Sequence, residues 1–392
     1  MLKKSLMLNN QLKNTQHIGK HSATFIYMIS LIMYFPIMFY FRNFWEDSMA
    51  GYLIPNLLLL VIDGYLISRL YFMKTIVDRK CKILLLTFFM ATVISFLVMR
   101  SGTERIISLN TILMSLLLYS ICPIRKYEWE TLYVGFVIVV AIILADNILD
   151  KKINTNTSGF LLSMVFCVSF ARYLQVKKIR YLLCALIVFA LQFFFSSRTA
   201  ILGSVLFLIF GTCLRKIRIS YKTVFYILMI LALMGIIFAW FYSEVLYIQV
   251  GKGTLIIFGK DLFTGRENIW HYTFQSIEDN FWFGVGSRVN EDLINNGYDK
   301  VYSDTHNQPM GLLASFGIFA FLLFYIALSY IVARSYRSDK KKFTIPLIFI
   351  SVISVLCYFE TYFFGQIKWV AIILSYGLMC EEDLSYGLKY EE

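Results

Sequence analysis

Apolar runs of about 20 residues recur along almost the whole chain, and they leave few folds open to it. A run of that length spans the hydrocarbon core of a bilayer as one α-helix. Of the 392 residues, 58% are apolar and only 16% are charged, whereas a soluble domain averages about 25% charged residues. The sequence therefore predicts an all-α polytopic membrane protein with a single membrane domain, residues 1–392.

Twelve transmembrane helices are predicted, with boundaries uncertain by a few residues. Their approximate limits are 24–41, 51–70, 82–99, 106–122, 131–146, 157–173, 181–196, 198–214, 223–243, 309–333, 343–359 and 365–380. The first run follows a lysine-containing N-terminus without an A-x-A-like cleavage signature, so it is interpreted as an uncleaved signal anchor. Residues 181–214 are too long for one span, which favours a tight hairpin at Ser196-Ser197.

The distribution of Lys and Arg predicts the orientation, because cytoplasmic loops carry an excess of both. With both termini cytoplasmic, 25 of the 37 Lys and Arg residues fall in the inner segments. The long segment 244–308, between predicted helices nine and ten, then lies on the outer face. The same face receives Arg198 and the loop that carries Arg100 and Arg105.

The charge pattern and the cysteines each argue against a class of function. The net charge of +12 is divided among short clusters between apolar runs, which indicates membrane topology rather than a nucleic-acid surface. The seven cysteines are scattered without a C-x-x-C pair, which argues against a zinc site or a disulfide framework. No cofactor or metal is predicted.

The outer segment 244–308 is predicted to contain a short amphipathic helix at about residues 265–281. Thr264 and Glu267 fit a T-x-x-E capping box. Apolar and polar side chains alternate at helical spacing, with Trp270, Phe274, Ile277 and Phe281 on one side and Glu267, His271, Gln275 and Glu278 on the other. The apolar stripe can dip into the membrane interface or pack on the transmembrane helices, and the pattern leaves both open. After the helix, a glycine-rich turn at 283–286 leads into a polar linker that can move as a lid.

Two arginines of the outer face are candidates for binding an anion. Arg266 falls in the first turn of the amphipathic helix, where free N–H groups and the helix dipole favour negative charge. Arg198 lies between apolar runs, where a guanidinium is costly unless it is paired or reaches the interface. A surface role stays open for each, but the predicted topology puts both on the face that also carries His306.

His306 stands where predicted helix ten enters the membrane from outside. Asp304, Thr305 and Asn307 offer N-cap oxygens there, and Pro309 is tolerated in a first turn. An imidazole titrates near neutral pH and can take a proton from a sugar hydroxyl. A purely structural capping role is the alternative.

At these residues the chain resembles a known family, the O-antigen ligases and Wzy-type polysaccharide polymerases of bacterial envelopes. The resemblance covers residues 196–325, in the pieces SSRTA at 196–200, TGRENIW at 264–270, FWFGVGS at 281–287 and DTHNQPMGLLASFGIFAF at 304–321. It implies a membrane glycosyltransferase of the GT-C type that uses an undecaprenyl-diphosphate-linked saccharide on the outer face of the cytoplasmic membrane, without a metal. It also implies that Arg198 and Arg266 hold the diphosphate and that His306 activates the acceptor hydroxyl.

Further residues are expected to contact substrate, namely Arg100, Arg105, Trp270, Arg288 and Asn307. The predicted function is a polymerase that joins lipid-linked repeat units into capsular polysaccharide, exopolysaccharide or O-antigen. Its partners would be the lipid-linked donor and acceptor, and possible pathway partners are a chain-length regulator and a flippase. Two alternatives stay open: a ligase that moves a finished glycan to another acceptor, and a flippase for the same lipids.

Overall fold

The computed structural model describes most of the helical part of the chain. The described residues are 49–72, 79–97, 110–111, 113–118, 126–149, 155–195, 197–213, 220–246, 256–257, 260–261, 266–286, 305–335 and 344–359. Their helices are α1 (Met49–Phe72), α2 (Arg79–Leu97), α3 (Lys126–Leu149), α4 (Thr155–Val176), α5 (Ile179–Phe194), α6 (Arg198–Cys213), α7 (Tyr221–Trp240), α8 (Arg266–Asp279), α9 (Gln308–Ser335) and α10 (Thr344–Leu356). A π-helical turn, Phe241–Leu246, continues α7, and a two-residue antiparallel pair joins Ile256–Ile257 (β1) to Lys260–Asp261 (β2).

The predicted helices agree closely with the observed ones where the two can be compared. The run predicted at 106–122 is helical at the described residues 110–111 and 113–118. Within the described residues, three helical stretches are long and apolar enough to cross a membrane, namely Ser158–Val176, Lys222–Leu246 and Gln308–Ala333. The runs predicted at 24–41 and 365–380 lie outside the described residues, so the count of twelve spans stays a prediction.

Helix α4 is the most buried helix of the described bundle and packs between α5 and α6 through small side chains. A Cβ at Gly159 would collide with Ser197, and one at Gly203 would lie 3.0 Å from Ser163 Oγ. Small residues allow helix backbones to approach closely, which is how helices associate in lipid. The predicted hairpin between α5 and α6 is confirmed: α5 ends at Phe194 and α6 begins at Arg198.

The second half of the bundle is built from α7, α9 and α10. Gly235 of α7 is the point of closest approach, since a Cβ there would lie 2.7 Å from Pro309 and 2.9 Å from the Tyr358 ring. The Tyr358 hydroxyl donates a hydrogen bond of 2.6 Å to the carbonyl of Leu231. The end of α7, the beginning of α9 and the end of α10 therefore meet at one end of the bundle.

Helix α9 bends at Gly317, where the backbone adopts φ 72° and ψ 179°. A straight helix would join Ile318 N to Ala314 O by a hydrogen bond. Instead, Ile318 N donates to Phe281 O at 2.9 Å, and Ala314 O accepts from Val285 N at 2.9 Å. The turn that follows α8 thus satisfies both backbone groups that the bend releases.

Candidate functional site

The first turn of α9 begins immediately after His306, and every free N–H group of that turn has a partner. Gln308 N donates to Cys357 O at 2.8 Å, and Pro309 carries no N–H. Met310 N donates to Asn307 Oδ1 at 3.0 Å, and Gly311 N donates to Asn307 O at 2.8 Å. The predicted N-cap is therefore confirmed for Asn307, in the standard position for capping the third helical residue.

The same asparagine joins three helices. It is fully buried, and its amide nitrogen donates to Gly235 O at 3.0 Å and to Tyr358 O at 3.1 Å. Gly235 lies within α7 and Tyr358 just after the end of α10, and both residues are buried, where an unmade hydrogen bond is costly. Asn307 therefore fixes the start of α9 against α7 and the residues after α10.

The backbone of His306 is held in an uncommon conformation between two buried neighbours. Its φ is +52°, in the left-handed region that few non-glycine residues adopt and that concentrates at functional sites. Thr305 before it is buried and donates through Oγ1 to Asn307 O at 3.1 Å. The imidazole itself is half-buried, so a rigid backbone holds it at the edge of the protein.

Trp270 connects α8 to this segment. The indole is fully buried, and its Nε1 donates a 2.7 Å hydrogen bond to Thr305 O. Its ring packs edge-on against Tyr242 at 5.1 Å and against Phe238 at 6.0 Å, measured between centroids. Because residues four apart lie on the same helix face, Arg266 lies one turn above this contact.

The packing of α8 shows where its apolar stripe lies and corrects the predicted positions of Glu267 and Phe281. The apolar stripe packs on the bundle, since Trp270 and Ile277 are buried. Glu267 was expected on the opposite, polar side, but it is buried with the stripe. Phe281 was expected within the stripe, yet it is 39% exposed and lies beyond the helix end at Asp279. The buried face includes Thr273 and Ser276, which a strictly apolar pattern misses.

Both candidate arginines are the first residues of helices. Arg198 begins α6 and Arg266 begins α8, and both side chains are half-buried. A cation at this position opposes the helix dipole, whereas the N–H groups there favour an anion. The two helix starts thus provide guanidinium groups and backbone donors suited to a phosphorylated ligand.

A chain of contacts joins the segments that carry Arg266, His306 and Arg198. Trp270 bonds Thr305, as described, and Gln308 N bonds Cys357 O. Leu356, beside Cys357, packs on Gly203, where a Cβ would lie 2.8 Å from its Cδ1. Gly203 is five residues after Arg198 on α6. The segments that carry the three candidate residues therefore share one end of the bundle.

Of the residues expected to contact substrate, some lie outside the described residues and others contact the protein itself. Arg100, Arg105 and Arg288 lie outside the described residues, as do Thr264 of the predicted capping box and the lid. The polar atoms of Trp270 and Asn307 form hydrogen bonds with backbone groups of the protein, so we expect these two residues to position His306 and Arg266. Among the described residues, no group of three or more His, Cys, Asp or Glu side chains gathers as metal ligands would.

Two features of the site were missed in the sequence. Glu244 in the π-helical turn contacts His271 of α8, with 2.8 Å between Oε1 and Nδ1; an acid at the end of an apolar run was the available signal. The second feature is the contact between the turn after α8 and the bend at Gly317. Both segments stood out as motifs, but nothing in either indicated that one docks on the other.

Residues 182–325 match a family model described as O-Antigen ligase. This region begins in α5 and ends within α9, so it contains both helix-starting arginines, α8 and the His306 segment. No curated protein and no solved structure matches the chain.

Proposed function

We propose that this chain is a polysaccharide polymerase of the O-antigen ligase and Wzy superfamily, whose family model matches residues 182–325. The donor is a growing glycan on undecaprenyl diphosphate, and the acceptor is the terminal sugar of a new lipid-linked repeat unit. The reaction takes place at the outer face of the cytoplasmic membrane and yields capsular polysaccharide, exopolysaccharide or O-antigen.

The observation that supports this proposal most directly is the hydrogen bond from Trp270 Nε1 to Thr305 O. It joins the helix that begins with Arg266 to the residue before His306. An anion-binding helix start and a proton acceptor beside it are the two groups that glycosyl transfer from a diphosphate requires. Arg198 reaches the same end of the bundle through α10.

In the proposed step, the acceptor hydroxyl oxygen attacks the anomeric carbon of the donor sugar. The new glycosidic C–O bond forms as the bond from that carbon to the diphosphate breaks, and both bonding electrons leave with the diphosphate. His306 takes the proton of the hydroxyl. Arg198 and Arg266 stabilise the charge that develops on the leaving group through charge-assisted hydrogen bonds. No metal is required by this scheme.

A ligase remains the second candidate, because the matching family model carries that description. It would use the same donor and the same three residues but transfer the finished glycan to a different acceptor. A flippase would place ionisable groups in the membrane along its path. Asp63 is such a group, but in the described structure Ser115 Oγ lies within 2.9 Å of both its carboxylate oxygens, which suits a structural contact between helices.

Substitution of His306 by alanine tests the proposed role of the imidazole. We expect His306→Ala to abolish long polymer while single-unit lipid intermediates and protein level stay normal. Lys222→Ala serves as the control, since Lys222 is exposed in the first turn of α7. That end of the helix is opposite to the one near the His306 segment. Normal polymer length in His306→Ala would remove this residue from the mechanism.

Deletion of the gene separates the candidate functions by product. A polymerase deletion loses the ladder of long chains and keeps a one-unit product. A ligase deletion accumulates long chains on the lipid carrier. A flippase deletion leaves single units on the carrier at the inner face, where an impermeant enzyme added to intact cells or spheroplasts cannot reach them. The second or third result contradicts the polymerase proposal.

A further inference from the structure

The π-helical turn that continues α7 brings a carboxylate against a histidine that the proposed mechanism does not use. Glu244 in this turn lies with Oε1 2.8 Å from His271 Nδ1 of α8. Ser243 Oγ donates to the same carboxylate oxygen at 3.2 Å. Turns of this kind are rare and occur frequently at functional sites. The turn thus fixes a carboxylate–imidazole pair on the exposed side of α8.

The contacts of His271 determine which ring nitrogen carries the proton. An ionised carboxylate only accepts hydrogen bonds, so the tautomer that fits this contact has its hydrogen on Nδ1, which donates a hydrogen bond to Glu244. In the neutral ring Nε2 is then an acceptor, and the amide nitrogen of Gln275 lies 3.3 Å from it. That contact is long for a hydrogen bond and comes from an exposed side chain, so a ligand hydroxyl can replace it.

The contact between Glu244 and His271 is not needed to hold α8 against the bundle. The His271 and Glu244 side chains are 46% and 24% exposed, and exposed pairs contribute little to stability. Burial of the Trp270 ring, its hydrogen bond and its ring contacts contribute more. Because Trp270 already fixes the helix, the main effect of the Glu244 contact is to orient the imidazole.

We propose that Glu244, His271 and Gln275 form a binding subsite for hydroxyl groups of the acceptor saccharide. A sugar hydroxyl both donates and accepts, and these side chains offer a carboxylate acceptor, an imidazole acceptor and an amide donor. The carboxylate disfavours a phosphate, so the ligand is a neutral part of the glycan. The half-buried ring of Tyr272 lies 5.5 Å from the imidazole and can pack on the C–H face of a sugar.

The position of the subsite fits an acceptor. His271 follows Trp270 directly, and Trp270 bonds the residue before His306. A saccharide bound at His271 therefore lies on the helix that begins with Arg266 and contacts the His306 segment through Trp270. This inference rests on the proposed function, because it identifies which substrate occupies this side of the site.

Binding and kinetics of His271→Ala and Glu244→Gln test the subsite. The probe is the oligosaccharide released by mild acid from the lipid carrier of deletion cells, titrated against purified protein in lipid nanodiscs and followed by saturation-transfer NMR. We expect each variant to weaken binding by about tenfold. In transfer assays the KM for the acceptor should rise to a similar extent, while kcat and the KM for the donor stay within twofold.

Matched controls on the same helix are Asn268→Ala and Glu278→Gln, whose side chains are exposed and make no contact with Glu244 that the structure records. Equal rises in donor and acceptor KM together with a lower Tm would mean that the pair only docks α8, and would overturn the subsite. A loss of kcat at unchanged acceptor KM would also overturn it. Since binding is measured without turnover, a wild-type protein that binds the probe but makes no polymer refutes the polymerase alone, and one that makes polymer without binding the probe refutes the subsite alone.

Discussion

The two ends of the described bundle both carry arginines beside aromatic rings, but they use them differently. At the end where α3 begins and α4 ends, Arg172 is buried, with its guanidinium carbon 4.5 Å from the Trp129 ring centroid. Its Nη2 lies 3.5 Å from Glu130 Oε1. At the end that carries His306, Arg198 and Arg266 are half-buried at the starts of helices.

The difference in burial of these arginines indicates a structural network at the Arg172 end and a candidate binding site at the His306 end. Glu130 also binds the guanidinium of Arg180 at 3.0 Å and accepts a 2.6 Å hydrogen bond from the Tyr181 hydroxyl. These partners come from α3, α4 and α5, so the network joins three helices around a buried charge. At the His306 end, guanidinium groups stand where the helix dipole disfavours cations. An anionic ligand at these helix starts would offset that unfavourable interaction.

Arginine-to-lysine exchange at the two ends gives the largest expected contrast. Arg198→Lys and Arg266→Lys should each lower activity by about a hundredfold or more, because a lysine cannot bind a diphosphate bidentately. The Tm of each variant should stay within a few degrees of wild type. Polymer yield in a deletion strain and transfer rate in nanodiscs measure the effect.

The matched control for both exchanges is Arg180→Lys at the other end, where the side chain is 59% exposed. It keeps the charge near Glu130, and surface pairs contribute little, so activity should stay within twofold. Full activity in either Arg198→Lys or Arg266→Lys would mean that this arginine is a surface charge and does not bind the diphosphate. A hundredfold loss in Arg180→Lys would remove the contrast between the two ends.

The sequence predicted those parts of the site that depend on hydropathy and local chemistry. Apolar runs located the helices within a few residues, and Ser196-Ser197 identified the hairpin, because residues 181–214 are too long for one span. The N-cap at Asn307 followed from side-chain preference. Arg198, Arg266 and His306 were selected from topology and motif resemblance, and their roles stay predictions.

Long-range partners could not be predicted, because they depend on how helices pack. Nothing local to Asn307 indicates that its amide reaches Gly235 and Tyr358. The amphipathic pattern of α8 also failed to predict that Glu267 is buried, because burial of a carboxylate depends on neighbours from other helices. Gly317 belongs to the motif at 304–321, but nothing in that motif indicates its φ of 72°, which accompanies the docking of a turn more than 30 residues earlier.

Substitution of Gly317 should give the next largest effect. Its conformation belongs to a region that is essentially restricted to glycine, with a strain of about 1–3 kcal/mol for other residues. A Cβ there would also collide with the carbonyl of Trp282. Gly317→Ala should therefore separate the turn after α8 from α9 and lower both Tm and activity, the latter by about tenfold, since α8 carries Arg266.

Gly64→Ala is the matched control, because Gly64 lies within α1 and a Cβ there meets no atom within 4 Å. Alanine is favoured over glycine in a helix by about 1 kcal/mol, so this variant should keep its activity and its Tm. Unchanged activity in Gly317→Ala, at a lowered Tm, would show that the bend stabilises the fold without positioning the site.

The smallest effect on activity is expected at the buried arginine of the opposite end. In Arg172→Met an apolar chain of similar length fills the space beside Trp129, and Glu130 keeps Arg180 and Tyr181 as partners. Removal of one member of a buried ion pair is costly mainly when the other charge is left unpaired; since Glu130 keeps two partners, the free energy of unfolding should change by less than about 2 kcal/mol. Arg172→Ala would instead leave a cavity and should lower the Tm further.

Activity per folded molecule should stay within twofold in both variants, measured as transfer rate normalised to monodisperse protein. A hundredfold loss of transfer in well-folded Arg172→Met would mean that this end also takes part in the reaction, and the division between a structural end and a substrate-binding end would then be wrong.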